Sequence, residues 1–408
     1  MRTLLVQNFG SIINEMGLVI NITPVTVIIG EQSTGKSTIA KLISEFSWLE
    51  KALDREDFPK SEVEKYNRFR KNYCSYHGLQ NFFQKDTLIV FHGDRYSFEY
   101  KNGRFKVYES RSGSYLRPQV MYSPAERNLV SAIEHAEKIR KLPGALATLL
   151  DEYNRALRAS KEGLISLPLP EFSLQYDKLN KITWLNGKGA KIRVHEAASG
   201  LQSLIPLSVV SRHLGALVTD NGTNSTESYT NDSFEERQRM ERMIQSILKD
   251  RSLDESVRSA LLRELSAGSK NACFINVVEE PEQNLFPISQ KYVLFDLLRI
   301  RNTIPQNELI ITTHSPYIIN YLSLAIKASD IQSRYSLGNN DILNGIVPTV
   351  SRIDGNLVSV YMTTSDGKID VVEKYDGMPS DQNVLNDLLD DCNLQYERLL
   401  DLEEQYEA

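Results

Sequence analysis

The residues best placed by type and spacing to do chemistry are Gly30-Glu31-Gln32-Ser33-Thr34-Gly35-Lys36-Ser37, followed by Thr38. They fit the pattern G-x-x-x-x-G-K-[ST] of a loop that cradles phosphates. The apolar run Val25-Thr26-Val27-Ile28-Ile29 precedes the loop and a helical pattern follows it, so strand, glycine loop and helix stand in the required order. Two glycines let backbone N–H groups curl around phosphate oxygens, and the following helix turns the positive end of its dipole toward the same charge. Lys36 is expected to reach the terminal phosphates of the nucleotide, and Ser37 to offer its hydroxyl to Mg²⁺.

Further candidates follow at the ends of two apolar segments. Phe274-Ile275-Asn276-Val277-Val278 runs into Glu279-Glu280-Pro281-Glu282, which sets two carboxylates at the C-terminal edge of a strand, where open α/β sheets bind ligands. Glu279 is the expected Mg²⁺ holder, and Glu280 the expected base or positioner for an attacking water. Leu309-Ile310-Ile311-Thr312 leads in the same way to His314, which can donate a hydrogen bond to a γ-phosphate. Ser199-Gly200-Leu201-Gln202 opens a helix with a hydroxyl, backbone donors and a dipole. That makes either a second anion site or a plain helix cap.

The elements that must position these groups alternate between strands and helices, which predicts an α/β fold with a parallel sheet. The expected strands are Ala272–Val278 and Glu308–Thr312, with helices at Ile288–Arg299 and Pro316–Ser323. A hairpin is expected about Asn102-Gly103, with strands Tyr96–Tyr100 and Phe105–Glu109, and two more about Asn186-Gly187 and Asp366-Gly367. Ala125 to about Ser160 reads as a long helical region broken near Pro143-Gly144. Residues 221–232 are almost devoid of apolar side chains and introduce a helical pair, with Met240, Met243, Ile244, Ile247 and Leu248 on one stripe and Val257, Leu261, Leu262 and Leu265 on the other.

The 408 residues carry a net charge of −6 and 41% apolar content, an ordinary soluble composition with no global positive field. Cys74, Cys273 and Cys392 are odd in number and lack metal-ligand spacing, so they read as reduced thiols. The start of the chain turns polar too soon for a signal peptide, and no window approaches the roughly 18 apolar residues of a membrane span. The expected compartment is the cytoplasm, with no membrane partner.

Taken in order, Gly30–Ser37, Ser199–Gln202, Glu279-Glu280 and His314 resemble the ATP-binding-cassette ATPases. The likeness is to the soluble branch that includes the structural-maintenance-of-chromosomes proteins and the overcoming-lysogeny-defect family. It covers about residues 1–50, 119–128, 195–215 and 272–325. It implies an ABC-ATPase-like P-loop NTPase with a mixed or parallel central sheet, an N-terminal antiparallel β subdomain and inserted helical arms. One domain over 1–408 is expected, with a discontinuous core of 1–50, 87–220 and 272–380. The insertions are an arm at 45–86 and a helical hairpin at 221–271, and 381–408 forms an amphipathic acidic helix.

By the same resemblance Gly30–Thr38 is the phosphate loop, with Glu31, Gln32, Ser33 and Thr34 at its tip. Ser199, Gly200 and Gln202 correspond to the signature sequence, Gln283–Leu285 to the D-loop, and Lys36, Glu280 and His314 to the catalytic set. ATP and Mg²⁺ are the implied substrate and cofactor, with Ser37 and Glu279 on the metal. The chain departs from the pattern at Leu201, which replaces a glycine, and at Glu279, which replaces an aspartate. For the metal-contacting glutamine, Gln119 and the group Glu126-Arg127-Asn128 both stand as candidates.

In the family the signature segment reaches ATP held by a second subunit, which implies a homodimer or a higher even-numbered oligomer. The absence of a metal-binding carboxylate constellation after His314 makes the chain similar to stand-alone, Septu-type ATPases of bacterial anti-phage defence, which act with a separately encoded nuclease or toxin. Slow turnover is expected of such a switch. The alternative is a DNA-repair or DNA-clamping ATPase of the structural-maintenance-of-chromosomes type, using the basic and aromatic run Lys65–Lys71, so nucleic acid is a permitted but not a required partner. A transporter subunit fits less well, given the long helical insert before Glu279. A scaffold that binds ATP without turnover is the non-enzymatic option.

Overall fold

The computed structural model describes residues 2–110, 115–139, 141–160, 164–223, 271–335 and 340–407. Arg2–Phe9 (β1) alternates buried with half-buried side chains along most of its length, the pattern of a strand with one covered face. It pairs antiparallel with Ile20–Ile22 (β2) and, after Val25–Gly30 (β3), with Phe83–His92 (β4). Tyr96–Lys101 (β5) and Arg104–Glu109 (β6) complete a five-stranded sheet in the order β2-β1-β4-β5-β6. Asn102 and Gly103, at φ 52° and 73°, make the expected tight turn between β5 and β6.

The second sheet is built differently. β3 is buried at every residue, as are Cys273–Glu279 (β12) and all but the first residue of Glu308–Thr313 (β13). Strands covered on both faces belong in a parallel sheet flanked by helices. The observed order is β15-β14-β3-β13-β12-β7, where β7 is Pro118–Ser123, β14 is Val358–Thr363 and β15 is Ile369–Val371. Only β14–β15 pairs antiparallel. Side chains alternate between two cores. Ile28, Ile275, Val277 and Ile310 face the helix Lys36–Asp54 and the antiparallel sheet, while Val25, Val27, Val278, Leu309 and Ile311 face the helices Pro287–Arg301 and Pro316–Arg334. This is the expected α/β fold, with a mainly parallel central sheet and an N-terminal antiparallel one.

Several elements differ from expectation. The region after Ala125 forms short helical turns as far as Lys138, and a full helix only at Gly144–Ala159. The hairpin foreseen at Asn186-Gly187 turns two residues later, at Lys188 and Gly189, which take φ of 48° and 76°. Gly187 is held in the strand because Phe172 packs where its Cβ would be, 2.3 Å from the ring. That hairpin, Ile182–Gly187 (β10) and Ala190–Arg193 (β11), joins Leu164–Ser166 (β8) and Phe172–Asp177 (β9) in a four-stranded antiparallel sheet.

Within 45–86, Phe69 stacks on Phe105 at 4.0 Å and Tyr73, Cys74 and Tyr76 are buried in the main core. The basic run there makes local contacts. Lys65 and Arg68 pair with Glu62, and Arg70 donates to the Gln80 carbonyl while lying over Phe83. Among the described residues one helix, Ser199–Thr219, is long and apolar enough to cross a membrane by length and composition, although no such span was foreseen, and 67% of its most apolar stretch is buried inside the protein. The helical pair expected at 233–267 lies outside the described residues. The acidic segment forms the helix Val384–Glu407, with Leu385 buried and Tyr396 exposed.

Candidate functional site

The glycine loop leaves the C-terminal end of β3 at the middle of the sheet. Gly30 takes φ 143° and touches the end of β14, where a Cβ would sit 2.2 Å from the Thr363 carbonyl oxygen. Gly35 takes φ 105°, and its Cβ position is 2.6 Å from Ile12. Ser33 at φ 64° and Gly35 thus interrupt the loop with left-handed residues, the geometry of a concave run of N–H groups that binds anions. Thr34 Oγ1 donates to the Glu31 carbonyl at 2.8 Å and meets Thr363 Oγ1 at 2.6 Å, which ties the loop to β14. A Gly30→Ala substitution meets both a backbone carbonyl and a disfavoured φ. The expected loss is about 2–4 kcal/mol of stability, read from the denaturation midpoint.

Lys36 opens the helix Lys36–Asp54 and is 4% exposed. Its ammonium donates to the carbonyls of Gly30, at 2.9 Å, and Glu31. Burial lowers its pKa from 10.5 to about 8, opposed by the charges of Glu280, Glu282, Glu279 and Glu31. Between pH 8 and 10.5 the unfolded chain therefore holds more of this proton than the folded one, so the stability linked to Lys36 rises with pH across that window. A phosphate at this ammonium favours its charged form. Calorimetry at pH 8–9 is expected to show proton uptake on ATP binding, as a dependence of the heat on buffer ionisation enthalpy, and Lys36→Met to remove it.

The acidic motif caps β12. Glu279 is 3% exposed, with Oε2 accepting the Ala125 amide at 3.3 Å. Its Oε1 is buried beside the Tyr122 phenol, and Thr312 Oγ1, in the paired position of β13, is buried with no hydrogen-bond partner among the described residues. A buried carboxylate on the face that carries Lys36 has the chemistry to hold a hard divalent cation such as Mg²⁺, and Ser37 and Glu279 are the residues that could hold it. Glu280 sits at φ 44°, a left-handed turn uncommon outside glycine, and its amide donates to the Thr312 carbonyl at 2.8 Å. Its Oε1 lies 3.4 Å from His314 Nε2. That hydrogen bond holds the carboxyl below its usual range, with the charges of His314, Arg127 and Lys36 acting in the same direction against burial. Glu280 is thus ionised at neutral pH and able to accept a proton.

Glu282 explains the placement of His314. Its Oε1 accepts both the His314 amide and the Thr313 hydroxyl at 2.7 Å, and burial pushes its carboxyl up. Arg127 is the other positioning group. It is 0% exposed and donates only to backbone carbonyls: Glu279 and Glu280 at 2.6 Å, Ser203 at 3.1 Å and Pro124 at 3.2 Å. One guanidinium therefore ties the end of β12 to the segment after β7 and to the helix Ser199–Thr223. Gln119 belongs elsewhere. It lies near the start of β7, opposite Phe274, and accepts from Asn271 Nδ2 at 2.6 Å, far from the strand ends that hold Glu279.

Ser199 is exposed at the start of its helix. Gly200 packs against the turn after β12, where its Cβ position is 2.4 Å from the carbonyl oxygen of Asn284, itself at φ 57°. Leu201 packs among the core residues, and Gln202 Nε2 donates to the His195 carbonyl at 2.8 Å, so its amide is held within the subunit. This helix contacts β7 and β12, and β7 is three strands from β3. The structure thus gathers Lys36, Glu279, Glu280 and His314 at one sheet edge, and sets Ser199–Gln202 beside the turn that follows Glu280. Glu282 and Thr363 have no role in the reading of the sequence, and Arg127 stands there only within the group Glu126-Arg127-Asn128 offered beside Gln119. A third carboxylate so close to Glu279 was the one available signal, since Thr363 lies in no motif.

No family model matches the sequence, and no curated protein matches it. Among solved structures the chain is similar to the SMC head domain from Thermotoga maritima, at 11% identity over 91% of this chain and 98% of that one, with a TM-score of 0.35. It is similar also to an SmcHead bound to the C-winged helix domain of ScpA (12% identity, 91% and 96% covered, TM-score 0.34). A third is an Smc head domain with an extended coiled coil, bound to the C-terminal domain of ScpA derived from Pyrococcus furiosus (10% identity, 91% and 96% covered, TM-score 0.35). At these identities and scores the strand order, and not the likeness, identifies the fold.

Proposed function

We propose that the chain is an ATP-hydrolysing switch that closes with a second copy around two ATP molecules and governs a separately encoded effector, a nuclease or toxin, in bacterial anti-phage defence. The observation that carries the reading is the split of the site. The groups that hold and attack a phosphate share one sheet edge around Lys36 and Glu280, while the helix start at Ser199, beside the turn after β12, is exposed and makes no hydrogen bond to them among the described residues. A phosphate on the loop of one copy is then free to meet Ser199 of another.

In this reading the loop Gly30–Thr38 wraps the phosphates and Lys36 exchanges its two carbonyl partners for phosphate oxygens. Bound Mg²⁺ supplies charge neutralisation on the phosphates, with Ser37 and Glu279 as its protein ligands. Glu280 Oε1 accepts a proton from water, and the hydrogen bond from His314 Nε2 keeps that carboxylate ionised and aimed. Glu282 and Arg127 fix the backbone that presents both. The left-handed turn at Glu280 is the strain stored for that aim.

The test is phosphate release from ATP by the purified chain. Expected is Mg²⁺-dependent turnover that chelation or Lys36→Ala abolishes, whereas ATP binding with no release in any variant fits the scaffold instead. For the cellular role, expression in bacteria together with the effector that co-purifies with the chain is expected to lower phage plaque counts, and Lys36→Ala to restore them. Equal counts with both proteins contradict the defence role.

A further inference from the structure

A cleft of about 320 Å³ opens beside the helix Ser199–Thr223, well away from the glycine loop. Its walls are the helix Gly144–Ala159, the turns from Leu129 to Ala136, the β9–β10 hairpin and the short turn Val194–Glu196. The floor is apolar, with Val130, Leu150 and Leu157 beside the buried ring of Tyr153. The polar lining is cationic. It has Arg155, Arg158, Lys181 and Arg193 against the carboxylates Glu134 and Asp151, in a protein whose net charge is −6. Arg155 is paired with Glu152 and Arg193 with Glu134, whereas Arg158 and Lys181, both exposed, have no carboxylate partner among the described residues. An apolar floor under a cationic rim suits a small molecule with a flat or apolar body and an anionic end, and the volume is at the lower end of ligand pockets.

Two hydrogen bonds join this cleft to the candidate signature segment. Ser131 Oγ donates to the Gln202 carbonyl at 2.6 Å, and Gln202 Nε2 donates to the His195 carbonyl at 2.8 Å; Ser131 and His195 both line the cleft. A ligand that shifts either wall therefore pulls on the first turn of the helix that presents Ser199. We propose that the cleft is a regulatory site for a small phosphorylated molecule of mononucleotide size, and that its occupancy is transmitted to Ser199–Gln202. The binding stands on the cleft alone, and the transmission rests on the two-copy ATPase reading above.

The test uses AMP as the probe and the full chain carrying Lys36→Ala, which silences the glycine loop. The Arg193 guanidinium lies over Trp184 at 5.9 Å, so a ligand that draws Arg193 away changes Trp184 emission. Expected is saturable AMP binding with an emission change that Trp184→Phe removes, weakened by about tenfold or more in Arg158→Glu/Lys181→Glu. No saturable binding, or equal affinity in the charge-reversed protein, overturns the site. In the otherwise unaltered chain, AMP is expected to change ATP turnover by about threefold or more, and Ser131→Ala to remove that change while AMP still binds. AMP that binds yet leaves turnover unchanged overturns the transmission alone. A chain that binds AMP but never hydrolyses ATP refutes the ATPase reading and leaves the site standing.

Discussion

Glu280→Gln is expected to cut phosphate release by about 10²–10³-fold while leaving ATP affinity within a few-fold. The side chain keeps its size and its turn at φ 44°, and an amide oxygen can still accept from His314 Nε2, so the geometry survives. What is lost is the proton acceptor, because an amide does not take up a proton at neutral pH. His314→Ala is the companion measurement. Without that hydrogen bond Glu280 loses the main influence holding its pKa down, so the acid limb of the rate profile moves up in pH. A Glu280→Gln protein that releases phosphate at the original rate assigns the base elsewhere and leaves Glu280 a purely structural turn.

Arg127→Ala is expected to lower stability by about 3–5 kcal/mol and to abolish turnover in whatever fraction stays folded. The guanidinium is wholly buried, and its removal takes a charged donor from each of the carbonyls of Pro124, Ser203, Glu279 and Glu280, of which Pro124 and Glu280 keep the backbone amides of Arg127 and Gln283 as donors, and leaves a cavity where three segments meet. Arg127→Lys keeps the charge but presents a single ammonium to partners arrayed around a planar fork, so it should recover less than half of the loss. The measurement is the denaturant midpoint at unchanged slope, read beside ATP turnover. A midpoint within about 1 kcal/mol of the unaltered chain shows that the three segments hold together without this residue.

The parallel sheet was legible because β3, β12 and β13 are short apolar runs ending in polar, functional residues, and that pattern has few other solutions. The placement of the loop and the carboxylate motif at strand ends was legible because each follows directly on a short apolar run. Arg127 shows what spacing does not reveal. Its partners are four backbone carbonyls from segments far apart in the chain, and carbonyls leave no trace in a sequence. Thr363 was hidden for a related reason, since β14 reaches β3 only through the order of strands in the sheet. The short turns after Ala125 defeated the helical pattern because tertiary contacts, such as Arg127 beneath Glu279, override local preference there.

The most direct test of the two-copy site is the molar mass of the Glu280→Gln chain, measured by light scattering with ATP and Mg²⁺, before and after adding Ser199→Arg. The expected result is an ATP-dependent doubling of mass in Glu280→Gln, and a return to the single-chain mass in the double variant, which still binds one ATP per chain. A doubled mass that persists with Ser199→Arg, or a mass that never responds to ATP, contradicts a shared site between Gly30–Ser37 of one copy and Ser199 of the other.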